Sequence, residues 1–242
     1  MDDMTSPRES GAGATGSQTL ARGLRALEIL AEAETPLTIG ELADGLGVHR
    51  SNAYRILRTL EDRRFVARDA AGRIRLGPKL TALARGVAPA LHTAAGPAVT
   101  ELAYELGMTA FVTVIDGDEV VTLITVEPSN VTATIARNPG VRHPVRRGAP
   151  GHAIESALTP EERNAFLGSP DPSRAARVAA REGYAITRDE VIPGVTGIAV
   201  PLRIEGEPPA AVAVVHFNVP ESIDAVVDAL HRAAERISQS YR

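Results

Sequence analysis

Apolar residues return at helical spacing through the first 65 positions of the chain and at strand spacing through much of the rest. Leu20, Leu24, Leu27 and Leu30 form the stripe of a helix over residues 19–33, flanked by Ile29 and Ala31. Pro36 closes the link that follows. Thr38 is a helix cap, and Glu41 three residues later completes a capping box. Ile39, Leu42 and Ala43 give this short helix one buried face. Residues 45–48, Gly-Leu-Gly-Val, have room only for a turn. A second helix follows over residues 49–62, with Ala53, Ile56, Leu57 and Leu60 inward. That phase turns Ser51, Arg55 and Arg58 outward and leaves Asn52 and Tyr54 on the flanks. Residues 65–68 and 73–76 predict two strands joined by a loop containing Gly72, with Arg73 and Arg75 on a shared face.

Gly77-Pro78 opens a further helix over residues 79–87, and Pro89, Gly96 and Pro97 punctuate what comes next. Residues 78–97 read as a mostly helical linker. Its apolar positions Leu80, Leu83, Ala84 and Val87 either pair two protomers or pack on the chain's own domain. From Ala98 the pattern changes. A helix over 99–106 precedes strands over 109–115 and 119–126 around the turn Asp116-Gly117-Asp118. A strand over 131–135, helices over 151–158, 160–167 and 172–182, and strands over 195–204 and 209–217 come next. A closing helix over 222–241 turns Ile223, Val226, Val227, Leu230, Ala234 and Ile237 inward. The fold class predicted is α+β: a winged helix-turn-helix over residues 18–77, the linker, and a domain over 98–242 with an antiparallel sheet flanked by helices. Residues 1–17 have little to bury, so a disordered tail is expected.

Charge sharpens the reading of the first half. Residues 50–79 hold nine Arg or Lys against three Asp or Glu, inside a chain of net charge -4. A basic segment in an acidic protein is the footprint of phosphate docking, and the net acidic residues 98–242 are not that surface. Two short helices joined by a tight turn lay the second in a major groove. Asn52 and Arg55 are the expected base readers. His49, Arg50, Ser51, Tyr54, Arg58, Arg73 and Arg75 are the other expected contacts, mainly to the backbone of a double-stranded DNA operator.

Chemistry of other kinds is sparse. The chain has no cysteine, hence no disulfide, thiolate zinc site or Cys nucleophile, which suits the cytoplasm. No apolar run approaches about 18 residues, and Met1-Asp2-Asp3-Met4 lacks the apolar stretch of a signal peptide, so no membrane association is expected. The six histidines show no i, i+4 metal-binding pair, and neither a metal nor a cofactor is expected. Gly194-Val195-Thr196-Gly197 is not a phosphate loop, and no Ser-His-Asp or Gly-x-Ser-x-Gly arrangement assigns a catalytic residue. Two alternatives remain open: a small-molecule enzyme carrying a docking module, and a DNA-binding protein whose second domain only dimerises.

The chain resembles the IclR family of bacterial transcription regulators over residues 18–242. The resemblance is carried by Leu24-Arg25-Ala26-Leu27-Glu28-Ile29-Leu30, Ile39-Gly40-Glu41-Leu42-Ala43, Tyr54-Arg55-Ile56-Leu57-Arg58-Thr59-Leu60, and Phe65-Val66 before Leu76-Gly77. In the second half it rests on Gly151, Gly183-Tyr184-Ala185, Asp189-Glu190, and Gly194-Val195-Thr196-Gly197-Ile198-Ala199-Val200-Pro201. It implies a GAF-like effector domain, a homodimer or a tetramer of two dimers, and DNA affinity altered by a small organic effector, often a carboxylate. The implied pocket walls are Ala149, Pro150 and Gly151, then Gly197 and Ile198, then Ala213 and Val215. The chain departs from the family in several places. Carboxylate-binding members tend to carry Cys, Ser or Thr where this chain has Gly197, Ala213 and Val215. Arg64 stands where many members have glycine, and the segment after Leu167 is short. Either the ligand is more apolar or aromatic, or Arg146 or Arg147 supplies the anion contact, with backbone N–H groups at the start of the Gly151 helix as further donors. The plainer alternative leaves both arginines on the surface.

Overall fold

Thr38 starts the second helix as its sequence requires: its Oγ1 accepts the Glu41 N–H at 3.2 Å and the Glu41 carboxylate accepts the Thr38 N–H at 2.7 Å. The computed structural model describes residues 17–131 and 134–241. Of the expected disordered tail, residues 1–16 lie outside the described residues. The chain divides into two compact units that part between Val87 and Ala88.

The first unit runs α1 (Gln18–Glu32), α2 (Ile39–Gly45), α3 (Arg50–Asp62), β1 (Val66–Arg68), β2 (Ile74–Leu76) and α4 (Lys79–Ala84). Its core is Ala26, Leu30, Leu42, Ile56, Leu57, Val66 and Ile74. The α1 stripe was expected to be buried along its length. Instead Leu20 is 62% and Leu24 53% exposed, and Ala26 and Leu30 carry the burial. The short α2 and the 13-residue α3 cover only the C-terminal half of α1. Gly47, at φ +62°, turns the chain between α2 and α3. The wing gains a third backbone partner, because Leu37 and Ile74 exchange two N–H···O bonds of 2.9 and 2.7 Å. None of the α4 residues is buried.

The second unit runs α5 (Pro89–Leu106), β3 (Thr109–Asp116), β4 (Glu119–Val126), β5 (Arg142–Pro144), α6 (Gly148–Ala157), α7 (Pro160–Leu167), α8 (Arg174–Glu182), β6 (Ala185–Arg188), β7 (Thr196–Leu202), β8 (Ala210–His216) and α9 (Ile223–Ser240). The strands form one six-stranded sheet, ordered β5-β4-β3-β8-β7-β6, with every neighbouring pair antiparallel. Alternation sends Ala110, Val112 and Val114 of β3, with Val212 and Val214 of β8, into a core against α5 and α9. Phe111 and Ile115, with Ala211, Ala213 and Val215, face the opposite core against α6 and α8. Helices on both faces bury the central strands completely, which explains their continuous apolar runs.

Three expectations need correction. The helix expected over 99–106 begins ten residues earlier and passes through Pro97. Its buried positions Leu91, Ala94, Ala95, Ala98, Val99 and Leu102 keep one helical phase across the proline. Gly96 has no Cβ to oppose the ring of Pro97, which relieves part of the usual pre-proline clash. The strand expected over 131–135 is not one at Val131, Thr134 and Ile135; Thr132 and Ala133 lie outside the described residues. There the Thr109 hydroxyl donates to the Ile135 carbonyl at 2.8 Å, a side-chain strap in place of a ladder. The helix expected from Gly151, α6, starts at Gly148. The short edge strands β5 and β6 carry no alternation that the sequence could display.

Candidate functional site

On α3 the expected faces hold. Ala53, Ile56 and Leu57 are buried, while Arg50, Ser51, Asn52, Tyr54, Arg55 and Arg58 are exposed. His49 caps the helix: its Nδ1 lies 3.4 Å from the Ser51 N–H and 3.1 Å from the Ser51 Oγ, so the two side chains are tied together at the helix start. Asn52 and Arg55 lean to the α1 side, where with Leu20, Leu24 and Thr59 they line a groove of about 610 Å³. Tyr54 lies on the wing side, with the Arg68 guanidinium 5.8 Å from its ring centre. Arg68, which sequence reasoning passed over, is ion-paired with Glu61 at 2.6 Å and so braces the wing to α3. Arg73 donates to the Pro36 carbonyl at 3.2 Å, and Arg75 is exposed on β2.

In the second unit a small cavity of about 30 Å³, room for about one water, opens at the N-terminal end of α6. Ala149, Pro150, Gly197 and Val215, four of the residues the resemblance implies for a pocket wall, line it. Thr187, Gly197 and Val215 lie in register across β6, β7 and β8, forming one wall. The other expected residues fall elsewhere. Ile198 points into the α5/α9 core, the opposite side of the sheet. Ala213 is buried in the α6 core next to this row. Gly151 is a packing position: a Cβ there would come within 2.0 Å of the Val145 carbonyl oxygen. Arg146 is half-exposed and points to the buried Glu155 carboxylate at 3.9 Å. The Arg147 guanidinium donates to the Glu190 carbonyl.

The first amides of α6 are already satisfied. The Glu190 carboxylate accepts the Gly148 N–H at 2.8 Å and approaches His152 Nε2 at 3.1 Å. Thr187 Oγ1 accepts the Ala149 N–H at 3.0 Å. An acid at this helix end also suits the backbone dipole.

Besides Thr187 and Glu190, two further polar residues line the cavity outside the expected set. Arg137 is 5% exposed. Its Nε donates to Thr122 Oγ1 at 2.9 Å, its Cζ stands 4.3 Å from the Phe111 ring centre, and its Nη2 has no partner among the described residues. Burial pushes this guanidinium down to about 10, a penalty of roughly 3 kcal/mol for holding it charged at neutral pH. His143 is also buried, and its Nδ1 lies 3.1 Å from the Pro144 carbonyl. That carbonyl can only accept, so Nδ1 carries the proton and the unpartnered Nε2 is an acceptor. Burial, then the nearby Arg137 charge, hold His143 below the usual imidazole range, against the pull of the Pro144 bond. The only available signal was the lone arginine between Ile135 and Gly140 in an otherwise uncharged stretch.

A winged helix-turn-helix in one unit and a helix-flanked antiparallel sheet in the other define a two-part DNA-binding regulator. The model of the IclR helix-turn-helix domain matches residues 19–70, and that of the bacterial transcriptional regulator IclR C-terminal domain matches residues 88–239. The chain belongs to the IclR family, and it is a DNA-binding transcriptional regulator. It is 33% identical over 208 residues to the HTH-type transcriptional regulator Rv1719 of Mycobacterium tuberculosis, covering 78% of each chain. It is 28% identical over 202 residues to XynR of Escherichia coli, covering 76% of this chain and 80% of that one. Among solved structures, an IclR homolog from Microbacterium hydrocarbonoxydans complexed with 4-hydroxybenzoate is 27% identical, with a TM-score of 0.79 over 93% of this chain and 99% of that one. A regulator from Alicyclobacillus acidocaldarius has the same fold, with a TM-score of 0.80 at 24% identity over 94% of this chain and all of the other.

Proposed function

We propose that a small organic effector, seated in the cavity at the start of α6, sets the affinity of this regulator for its operator. The observation that carries the reading is that cavity: apolar walls around a buried guanidinium and a buried imidazole whose outer nitrogens lack partners. Apolar walls with a few convergent polar groups are the usual make-up of a ligand site. The IclR homolog crystallised with 4-hydroxybenzoate supports a small organic ligand for this chain.

In the DNA-bound form Asn52 and Arg55 read base edges. Arg50, Ser51, Tyr54, Arg58, Arg73 and Arg75 hold the backbone, with His49 fixing the helix start. The regulator works in the cytoplasm as a homodimer or a tetramer of two dimers, and the exposed Leu83 of α4 and Val87 just after it are apolar positions suited to a second copy. Operator fragments taken from beside the regulator's own gene, titrated with and without a metabolite panel, test the coupling. The expected outcome is at least one metabolite that changes DNA affinity tenfold or more. A Gly197→Ala protein keeps DNA binding but responds more weakly, because the added methyl stands 3.6–3.8 Å from Ala149, Thr187 and Val215 and narrows the cavity. An unchanged response in Gly197→Ala moves the effector elsewhere.

A further inference from the structure

We propose that Arg137 anchors the effector through its anionic group, and that it selects ligands with a single negative charge on a compact apolar body. The inference rests on the effector reading above. It starts from the competition for anion donors around the cavity. The helix end is taken, because Glu190 and Thr187 hold the Gly148 and Ala149 amides. Arg146 turns to Glu155, and Arg147 turns to the Glu190 backbone. Arg137 is the buried cation on the cavity wall, with Nη2 unpartnered among the described residues. An unpaired buried charge is unfavourable until an opposite charge meets it, and a guanidinium matches a carboxylate best.

Charge count then sets the ligand's valence. The cavity wall carries Arg137 and Glu190, while His143 presents a neutral acceptor. One carboxylate meets Arg137. A second negative charge would face Glu190 across a cavity of about 30 Å³. Arg137 already covers the face of Phe111, so the apolar body lies against Val191, Ile192, Val195 and Val215. Val191 and Ile192 belong to the loop between β6 and β7; Val191 is only partly buried and Ile192 is exposed. The cavity has room for about one water, so seating any carboxylate requires these two side chains to turn outward.

The test compares propionate and benzoate with their neutral amides, propionamide and benzamide, and with the dianion malonate. Binding to the full-length protein is followed by calorimetry and by operator affinity. Wild type is expected to prefer at least one monocarboxylate over its amide and over malonate by tenfold or more. Arg137→Met should erase that preference while raising the unfolding midpoint without ligand, since a buried unpaired charge is removed. Arg137→Lys should retain part of it. A preference unchanged in Arg137→Met overturns the assignment and leaves the effector reading standing. A lowered midpoint with unchanged selectivity makes Arg137 structural and does the same. Amides bound as well as carboxylates by wild type also overturn it. Absence of binding by every probe, with no metabolite altering operator affinity, overturns both readings.

Discussion

Arg64 holds a left-handed backbone, φ +62°, at the turn between α3 and the wing. A side chain in that region is disfavoured by about 1 kcal/mol or more relative to glycine. Arg64→Gly is therefore expected to raise the stability of the protein by about 1 kcal/mol, measured by urea unfolding. Its neighbour Gly77 is the reverse case. Its N–H donates to the Phe65 carbonyl at 2.7 Å, and a Cβ there would meet the Arg64 carbonyl oxygen at 2.4 Å. Gly77→Ala should destabilise. His143 gives a pH prediction. Its folded value lies below the unfolded value of about 6.5. Below that value the unfolded chain binds the proton first, so stability is lost as pH falls through 6.5 toward the folded value. Thermal unfolding at pH 7.5 and 5.5 should show a larger loss in wild type than in His143→Gln. Residues on repeating faces, such as Ala53 and Leu57, were legible in the sequence. Arg137 and His143 were not, because their burial depends on Thr122, Phe111 and Pro144, which are distant or unpatterned in the chain.

Most elements whose apolar phase ran for two turns or more were legible. The capping box of α2 could be placed to the residue, since both of its halves are local. The sequence reading stopped at Pro97, although the buried phase from Leu91 to Leu102 runs straight through it. A longer stripe outweighs a single proline when the ring points outward and glycine precedes it. Pro97→Ala should stabilise the second unit by restoring a backbone donor to α5. Gly96→Ala alone should gain little, because the ring of Pro97 then opposes a Cβ. In the Pro97→Ala background it should gain about 0.5–1 kcal/mol. Additive effects in the double variant, read by chemical unfolding, would show that the proline and glycine do not act as a pair.

For the whole molecule the division of labour is electrostatic. The basic segment around α3 and the wing belongs to a chain of net negative charge, and binding of phosphates there is expected to weaken with salt because each neutralised phosphate releases counterions. Arg75→Ala should weaken binding to operator and random duplex alike and lower the slope of log affinity against log salt by about one. Arg55→Ala should instead cost about 1–3 kcal/mol on operator and relax its base preference. Equal losses on both duplexes for the two variants would remove Arg55 from base reading. The antiparallel α+β architecture could be read from the order of elements. The pairing of β6 with β7 could not, since four residues at a sheet edge carry no period.

The capped start of α6 bears on sensitivity. Glu190 is tethered to the amide it occupies, so it competes at the high effective concentration of an intramolecular partner. Dissolved anions such as chloride or acetate have to outcompete that tether to reach the Gly148 amide. A helix end blocked in this way stays quiet toward the ionic background of the cell.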